Sequence, residues 1–413
     1  MSRPKIAFLV NQMQPYRLGV YKRLAAALDL IILHGGMESD RSTWKEETVD
    51  GARVRRVWGW QLSLNKRDRG RAIDHWFLHL EPGYITELMH ERPDAVITVE
   101  MGFRTLVGLA YGTCFRKPVW VCWEGTPHTE RQMGVFRKLL RGIIARWAER
   151  WISYGQTSTE YLLTLGIPQE RILQVQNCVD ETWFVPTAEP ALDVRPRPVL
   201  LHVGRMVAGK GIAEFLRAAA RLQQEGLTFS TLLVGEGRDG LKLQQLAAEL
   251  RLGNIHFYPA QPPKAMPGLY RSADALIFPT IRDVWGLVAN EAVLSGLPVL
   301  CSRYAGCAPE LFDPECIFDP TNEEQFVAAL RRTVMGQLPR ADPSRLWSIL
   351  DVADNIANVV LASSAGTRPT VPSVNADAVP KALTKNWRVA GTKNLSNMPA
   401  SEARYDVKRA SDA

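Results

Sequence analysis

The sequence has few features that would tie it to a structural metal, a disulfide framework or a membrane span. Its six cysteines include no CxxC pair and no regular spacing, which excludes the usual zinc and disulfide patterns and favours a reducing interior. No stretch approaches the roughly 18 apolar residues of a spanning helix. The opening MSRPKIAFLVNQ has an apolar run of five residues, too short for the hydrophobic region of a signal peptide. We therefore expect a soluble or peripheral protein in the cytoplasm.

Net charge and length set two further bounds. A formal charge of +7 over 413 residues indicates an anionic partner, for which a membrane surface, a phosphorylated small molecule and nucleic acid all qualify. We do not expect nucleic acid, because the basic residues are dispersed and no helix-turn-helix or zinc pattern accompanies them. With 46% hydrophobic residues, the chain is long enough for two domains that each bury a core.

Short apolar runs alternate with helical patterns along most of the chain. KIAFLV, LIILHGG, DAVITVE and PVWVCWEG predict strands, and a long helix is expected from about Thr129 to Trp151. The alternation restarts after the proline-rich WFVPTAEPALDVRPR. This order predicts an α/β fold with two Rossmann-like, doubly wound domains facing a central cleft. The expected parts are a first domain, a linker, a second domain and a disordered tail, at 1–183, 184–197, 198–362 and 363–413.

The strand VLLHVGR leads into a loop that holds Gly204 and two cations, Arg205 and Lys210. Glycines let the backbone approach a ligand closely, and two cations five residues apart can close on the oxygens of a diphosphate. The GxxxxGK[ST] order of a Walker loop is missing. In LLVGEGRDG, Gly235 and Gly237 flank an acid at the next strand end. Plain turns with solvated basic side chains would give the same patterns, so each alone is weak evidence.

The stretch FPTIRDVWGLVANEAVLSGLPVLCS places two acids, Asp283 and Glu291, around a Trp-Gly-Leu turn. A helix that begins near Gly286 offers the amides of Gly286 and Leu287 to an anion. Because this helix is nearly apolar all round, Glu291 is expected to be buried and to need a partner. The vicinal hydroxyls of a ribose would serve, and so would a nearby arginine. Asp283 could accept from sugar hydroxyls, or it could be a helix cap or a surface acid.

Taken together, these stretches resemble the retaining family 4 glycosyltransferases, whose fold is GT-B. GRMVAGKGIAEFLRAAARL, LLVGEGRDG, ADALIFPTIRDVWGLVANEAVLSGLPVLCSRYAGCAPEL and IFDPTNEEQFVAAL occur in the family's order and spacing, over roughly residues 195–335. The resemblance implies that Arg205 and Lys210 clamp the donor diphosphate. It also implies that Glu291, as the second acid of the E-x7-E motif, contacts the donor ribose, and that Asp283 contacts the transferred sugar.

The resemblance extends to the rest of the donor site. It implies that the amides of Gly286 and Leu287 form the phosphate-binding turn; the residues expected to bind the donor are Gly204, Arg205, Lys210, Gly235, Gly237, Tyr258, Gly286, Leu287 and Glu291. No cofactor is implied beyond the nucleotide-diphosphate sugar, and no metal, in agreement with the lack of a DxD motif. Two departures bear on specificity. Asp283 stands where the family usually has Glu, and Gly306-Cys307 stands where it commonly has two glycines.

The first domain offers weaker candidates, at the ends of its predicted strands. These acceptor-side residues are Asn11, Arg17, Glu100, Glu124 and His128. A structural role is the simpler explanation for each of them. Glu100 and His128 are the preferred catalytic candidates.

Residues 131–151 form a predicted amphipathic helix that is a candidate for contact with an anionic membrane. Its polar side would carry Arg131, Arg137, Lys138, Arg141, Arg146 and Arg150, and its apolar side Phe136, Leu140, Ile143, Trp147 and Trp151. An ordinary domain helix with its apolar face in the core explains the same pattern. Membrane contact would favour an acceptor that is lipid-linked or part of an envelope glycan.

The sequence thus predicts a metal-independent, retaining glycosyltransferase that moves a sugar from a nucleotide-diphosphate sugar to a glycan, a lipid-linked molecule or another envelope polysaccharide. A sugar-nucleotide epimerase would share the cleft, and so would a phosphorylase, for which no pyridoxal-binding lysine site is identified. A non-catalytic protein that binds nucleotide-sugars is the third class. The presence of Arg205, Lys210 and Glu291 argues against it.

Overall fold

The computed structural model describes residues 3–36, 48–68, 71–184 and 189–367. The expected tail therefore lies mostly outside the described residues. The described part contains two parallel sheets, each covered by helices on both faces, and a separate two-stranded hairpin. This confirms the predicted α/β, doubly wound architecture.

The first domain is built on a seven-stranded parallel sheet with the order β3-β2-β1-β6-β7-β8-β9. Two further strands, β4 and β5, pair with each other in an antiparallel hairpin inserted between β3 and the second helix. The elements in chain order are β1 (Lys5–Val10), α1 (Leu18–Ala27), β2 (Asp29–His34), β3 (Arg53–Arg56), β4 (Trp60–Asp68), β5 (Arg71–Leu80), α2 (Gly83–Glu91), β6 (Ala95–Val99), α3 (Phe103–Phe115), β7 (Val119–Trp123), α4 (Pro127–Glu130), α5 (Val135–Trp147), β8 (Arg150–Tyr154), α6 (Gln156–Thr164) and β9 (Ile172–Val175).

The second domain has a six-stranded parallel sheet with the order β12-β11-β10-β13-β14-β15. The elements in chain order are β10 (Val199–Val203), α7 (Ile212–Gln224), β11 (Ser230–Val234), α8 (Gly240–Glu249), β12 (Ile255–Tyr258), α9 (Met266–Arg271), β13 (Ala275–Phe278), α10 (Leu287–Leu294), β14 (Val299–Ser302), α11 (Ala308–Leu311), β15 (Ile317–Phe318), α12 (Glu323–Val334) and α13 (Ile349–Ser364). The central strands of both sheets are buried and mostly apolar, as expected of parallel strands covered on both faces.

The alternating side chains of β1 show how the first sheet is covered. Ile6 and Phe8 belong to a core formed with α1 and α13, whereas Ala7 and Leu9 belong to a core formed with α2, α3, α5 and α6. Successive residues of a strand point to opposite faces, so one short strand contributes to both cores.

The last helix, α13, packs on the first domain although it follows the second in sequence. Val352, Ile356 and Val360 lie in the core formed with α1, and Ser363 accepts a hydrogen bond of 3.1 Å from the indole of Trp120. The expected second domain, 198–362, therefore includes a helix of the first domain's core. An amphipathic period marks a helix as core-facing but does not say which core it faces.

The segment Pro343–Ser364 is long and apolar enough, by length and composition, to cross a membrane. Most of the apolar side chains of α13 lie in the first domain's core, as in an ordinary core helix. The prediction of one long helix from Thr129 to Trp151 is wrong at both ends, because this segment contains two helices and the start of a strand. Gly134 separates α4 from α5, and Trp151 lies in β8.

The carboxyl ends of the two sheets face each other across a cleft. The loop after β7 contacts the loop after β13, since His128 hydrogen-bonds the carbonyl of Ile281 at 2.9 Å. The residues after β8 contact the loop after β14, since Thr157 donates to the carbonyl of Gly306 at 3.2 Å. The loops that carry the predicted site residues therefore meet at this cleft.

Candidate active site

The glycines after β10 and β11 bring two backbone loops into direct contact. Gly204 and Gly235 adopt φ of +154° and +142°, and a Cβ on Gly235 would overlap the carbonyl of Gly204. A Cβ on Gly237 would lie 2.5 Å from the carbonyl oxygen of Met206. All three predicted glycines are therefore needed where the two loops cross, which fixes the path of the loop that carries the cations.

Lys210 and Asp283 form an ion pair across neighbouring strands of the second sheet. The Lys210 Nζ lies 2.5 Å from Asp283 Oδ2, and both side chains are largely buried. The carbonyl of Gly209 ties the two loops together, because it accepts from the amide of Ile281 at 3.0 Å and from the hydroxyl of Thr280 at 3.2 Å. Arg205 lies half-buried in the same loop as Lys210. The structure thus brings the first predicted acid directly to one of the predicted cations.

The start of α10 lies beside this ion pair, as expected. Gly286 caps the helix with φ of +105°, and a Cβ there would overlap the ring of Phe278. The first amides of a helix have no partner within the helix and carry its positive dipole end. The amide of Trp285 donates to Asp283 Oδ1 at 3.3 Å. One acid is therefore in contact with both the cation and the turn that precedes the helix.

Within the protein, Glu291 has a hydrogen-bond partner that was not expected. The hydroxyl of Tyr270, on α9, donates to Glu291 Oε2 at 2.6 Å. Burial raises the pKa of Glu291 from 4.5 to about 7, and the tyrosine hydrogen bond only partly offsets that effect. A neutral donor therefore stands where the alternative interpretation placed an arginine. Tyr270 was not predicted, because nothing in its local sequence points to α10.

Tyr258, at the end of β12, enters the site through its backbone. Its carbonyl accepts from the amide of Gly235 at 2.9 Å, and its side chain is half-buried. Tyr258 therefore helps to hold the glycine loop after β11.

His128 bridges the two domains. Its Nε2 lies 2.9 Å from the carbonyl of Ile281, so Nε2 carries the proton and donates it. Its ring stacks on Tyr304 with centroids 4.3 Å apart, and Arg131 approaches Nδ1 at 3.0 Å. Burial lowers the pKa of His128. Both ring nitrogens are thus engaged, and the residue closes the cleft between the domains.

Glu100 follows β6 with a left-handed backbone, φ +69°. Its amide donates to the carbonyl of Cys122 at 2.9 Å, and its carboxylate, 55% exposed, pairs with buried Arg104 at 3.1 Å. Strained backbone of this kind concentrates at functional sites. The exposed carboxylate lies at the end of a central strand, on the side of the cleft.

Two other first-domain candidates form a buried ion pair with each other. Arg17 contacts the carboxylate of Glu124, and its guanidinium stacks 4.4 Å from the ring centroid of Tyr154. Within the described residues, the Nε of buried Arg17 has no hydrogen-bond partner. Sequence spacing could not predict the pair, because 107 positions separate its members.

The exposed face of α5 differs from the expected one. Arg141, placed on the polar side by its position in the helix, is buried, contacts Glu130 and donates to Tyr161 at 2.9 Å. The apolar residues that are exposed instead are Val135, Phe136, Leu139, Ile143 and Trp147. The prediction was wrong because α4 supplies a buried carboxylate that draws the arginine inward.

Gly306-Cys307 stands where two glycines were expected, and only the first of these positions requires a glycine. A Cβ on Gly306 would overlap the carbonyl of Val284, so this glycine is required. Cys307 is buried with φ of −76°, and its amide donates to the carbonyl of Trp285 at 3.2 Å. A side chain is therefore tolerated at the second position.

Comparison with known proteins shows which family the second domain resembles. Residues 189–345 match the family described as "Glycosyl transferases group 1". A D-inositol 3-phosphate glycosyltransferase of Nocardia farcinica is 33% identical over 181 residues, which cover 40% of this chain and 40% of that protein. The lipopolysaccharide glucosyltransferase WaaG of Escherichia coli is 33% identical over 141 residues, covering 33% of this chain and 37% of WaaG. The chain thus matches about two fifths of the length of these curated relatives.

Solved structures resemble a larger part of the chain. Anabaena Alr3699/HepE in complex with UDP has a TM-score of 0.63 at 17% identity, over 88% of this chain and 98% of that chain. The crystal structure of WaaG has a TM-score of 0.62 at 16% identity, over 86% of this chain and 99% of that chain. Residues 189–345 therefore match the group 1 glycosyl transferases, and the chain shares its GT-B fold with these solved structures.

Proposed function

We propose that this protein transfers a sugar, with retention of configuration and without a metal, from a nucleotide-diphosphate sugar to a glycan or lipid-linked acceptor. The observation that carries the proposal is the convergence of Lys210, Asp283 and the start of α10 within one hydrogen-bonded unit. A cation and the positive end of a helix suit the diphosphate, and an acid suits the sugar hydroxyls.

Lys210, Arg205 and the first amides of α10 would stabilise the negative charge that develops on the diphosphate as the sugar leaves. Donors fixed in advance toward such charge contribute on the order of 3 to 4 kcal/mol each in other enzymes. Lys210 is held in place by Asp283 before any donor binds. It therefore needs little rearrangement to exchange one anionic partner for another.

The two acids would hold the sugars at the ends of the donor. Tyr270 occupies Glu291 Oε2, which leaves Oε1 as the oxygen for a ribose hydroxyl. Asp283 Oδ1 already accepts from the amide of Trp285, which fixes the carboxylate plane near the transferred sugar. The two acids are not a glycosidase pair. A phosphate oxygen of the donor is the expected acceptor of the proton, so no protein nucleophile is assigned.

UDP-glucose is the first donor to test. The neighbours Alr3699/HepE were solved with UDP and with UDP-glucose, and they share the fold of this chain. The WaaG relative is described as a lipopolysaccharide glucosyltransferase, which supports an envelope glycan as acceptor.

We also propose that the first domain contacts an anionic membrane through α5 at the cytoplasmic face. Phe136 is 88% exposed and Leu139 62% exposed, and Lys138 and Arg146 are exposed beside them. No acid occurs between positions 131 and 148. An apolar stripe flanked by cations suits a surface of anionic lipid. At Trp147 the stripe reaches an apolar groove of about 430 Å³ between α2 and α3.

A donor screen with product analysis tests the proposal. Thermal melts against UDP-, GDP- and ADP-sugars should show one class that stabilises the protein, by about 2.7 kcal/mol at 100 times its dissociation constant. The anomeric configuration of the product should match that of the donor. Inversion would overturn the retaining mechanism, and a new sugar nucleotide formed without acceptor would identify an epimerase.

A further inference from the structure

A second set of contacts joins the domains besides those of His128, and it includes none of the residues assigned to the donor. At its centre is Glu310, on α11 of the second domain. Its Oε1 accepts from the amide of Gln156, at the start of α6 in the first domain. Its Oε2 accepts from Gln176 Nε2 at 3.1 Å. One carboxyl group of the second domain therefore binds two separate segments of the first.

Gln176 connects this carboxyl group to the segment that returns the chain to the first domain. Its Nε2 also donates to the carbonyl of Arg345 at 3.0 Å, and its Oε1 accepts from the amide of Trp347 at 3.0 Å. Gln176 itself directly follows β9, where the chain leaves the first domain. The side chain thus binds both points at which the chain crosses between domains.

The backbone at this junction is packed as tightly as a domain core. Gly155 has φ of +96°, and a Cβ on it would overlap the ring of Trp285 and lie 2.8 Å from Glu310 Oε1. Trp285 is 1% exposed. A residue other than glycine at position 155 would push the second domain away from the first.

The junction is linked directly to the helix that begins the donor site. The indole of Trp285 donates to Asn290 Oδ1 at 2.9 Å, and Asn290 Nδ2 donates to the carbonyl of Asn177 at 3.0 Å. Trp285 precedes Gly286, and Asn290 lies on α10 beside Glu291. The orientation of α10 toward the first domain therefore depends on the same contacts.

We propose that Glu310 and Gln176 form an interdomain clasp that holds the cleft closed and sets the position of α10 against the first domain. Both are positioning residues, because neither lies among the residues assigned to the donor. The expected effect of the clasp on the rate of sugar transfer rests on the proposed function. The expected effect on the closure of the two domains does not. Loss of the clasp opens the cleft but leaves Lys210, Asp283 and Gly286 in place.

Small-angle X-ray scattering of the full chain without ligand tests closure. Glu310→Ala and Gln176→Ala should each increase the radius of gyration, and the double variant should add little to Glu310→Ala because the two residues act as a unit. Glu310→Gln, which keeps an oxygen for the Gln156 amide, should lie between wild type and Glu310→Ala. The control is Glu315→Ala, an exposed acid near the same helix. Curves for Glu310→Ala and Gln176→Ala that superimpose on wild type would overturn the clasp.

Titration with UDP and transfer kinetics separate positioning from general damage. Glu310→Ala should leave the affinity for UDP within about threefold of wild type, while kcat falls about tenfold or more, as for the loss of a hydrogen bond to a charged group. A fall in UDP affinity as large as the fall in kcat would contradict the clasp. Should Glu310→Ala fail to fold, Gln176→Ala and Glu310→Gln decide by the same criteria. If the wild-type protein transferred no sugar, the proposed function would be refuted. The scattering curves would still show whether Glu310 and Gln176 hold the domains together.

Discussion

The two domains share an architecture but differ in how far their chemistry is written in local sequence. In the second domain, the cation, the first acid and the helix start lie in two loops, and Lys210 and Asp283 meet because β10 and β13 are neighbours in the sheet. In the first domain, Arg17 and Glu124 meet across a distance of 107 positions, and no motif marks either. The residues proposed to bind the donor lie in short loops, whereas the residues proposed for the acceptor side and the contacts of the junction are brought together only by tertiary structure.

Of the substitutions that test this difference between the domains, Lys210→Ala is expected to have the largest effect on turnover. Removing a fixed donor from the diphosphate should lower turnover by about 10² to 10³-fold. The fold should be retained, but the variant should melt at a lower temperature because Asp283 loses its buried partner. The matched control is Lys242→Ala, an exposed lysine on α8 of the same domain, with a side chain 80% exposed. Near-normal turnover in Lys210→Ala, measured with saturating donor, would remove the diphosphate role and with it the contrast between the domains.

Two glycine-to-alanine substitutions, one in each domain, are expected to change the free energy of unfolding in opposite directions. Gly286→Ala places a side chain at φ +105° against the ring of Phe278, so it should destabilise the protein by about 2 to 3 kcal/mol. Gly142→Ala lies within α5, where a Cβ meets nothing within 4 Å, so it should stabilise by about 0.5 to 1 kcal/mol. Urea denaturation of both variants measures the difference. Equal effects would show that Gly286 is not a required cap.

The sequence predicted the doubly wound fold and the tight glycine turns after β10 and β11 for a physical reason. Buried parallel strands are continuous apolar runs, and a glycine at a strand end followed by a helix is a local pattern. It did not predict the partner of Glu291, because Tyr270 approaches from a different helix. It assigned α13 to the wrong core and turned Arg141 outward, because helical periodicity does not reveal which neighbour, here Glu130, a face meets.

Substitutions on the exposed face of α5 are expected to have an intermediate effect, confined to the first domain. Each of Phe136→Ser and Leu139→Ser should weaken binding to vesicles that contain anionic lipid by about tenfold, since burying such a side chain contributes roughly 1.5 to 3 kcal/mol. Binding of UDP should not change. Leu241→Ser, an exposed apolar residue on α8, is the control. Equal vesicle binding by wild type and all three variants would show that α5 is an ordinary exposed helix.

The smallest expected effect is on the pH dependence of stability, and it concerns two buried carboxyl groups with similar pKa values. Burial raises the pKa of both Glu291 and Glu310 from 4.5 to about 7, so each carboxyl group keeps its proton to a higher pH in the folded protein than in the unfolded chain. Each should therefore make folding less favourable as the pH rises from about 4.5 to about 7. Glu291→Gln and Glu310→Gln should each reduce this slope in thermal melts. The charge of Glu160, which lies on α6 one turn after Gln156, also raises the pKa of Glu310.

Binding of UDP should distinguish the same two groups, because only one of them is assigned to the donor. The charged form of Glu291 accepts a ribose hydroxyl more strongly than the neutral acid does, so UDP affinity should rise a few-fold as the pH passes through about 7. Glu291→Gln should flatten this profile, and Glu310→Gln should leave it intact. If Glu310→Gln flattened the profile equally, UDP binding would be coupled to the clasp, and the donor site could not be treated as a property of the second domain alone.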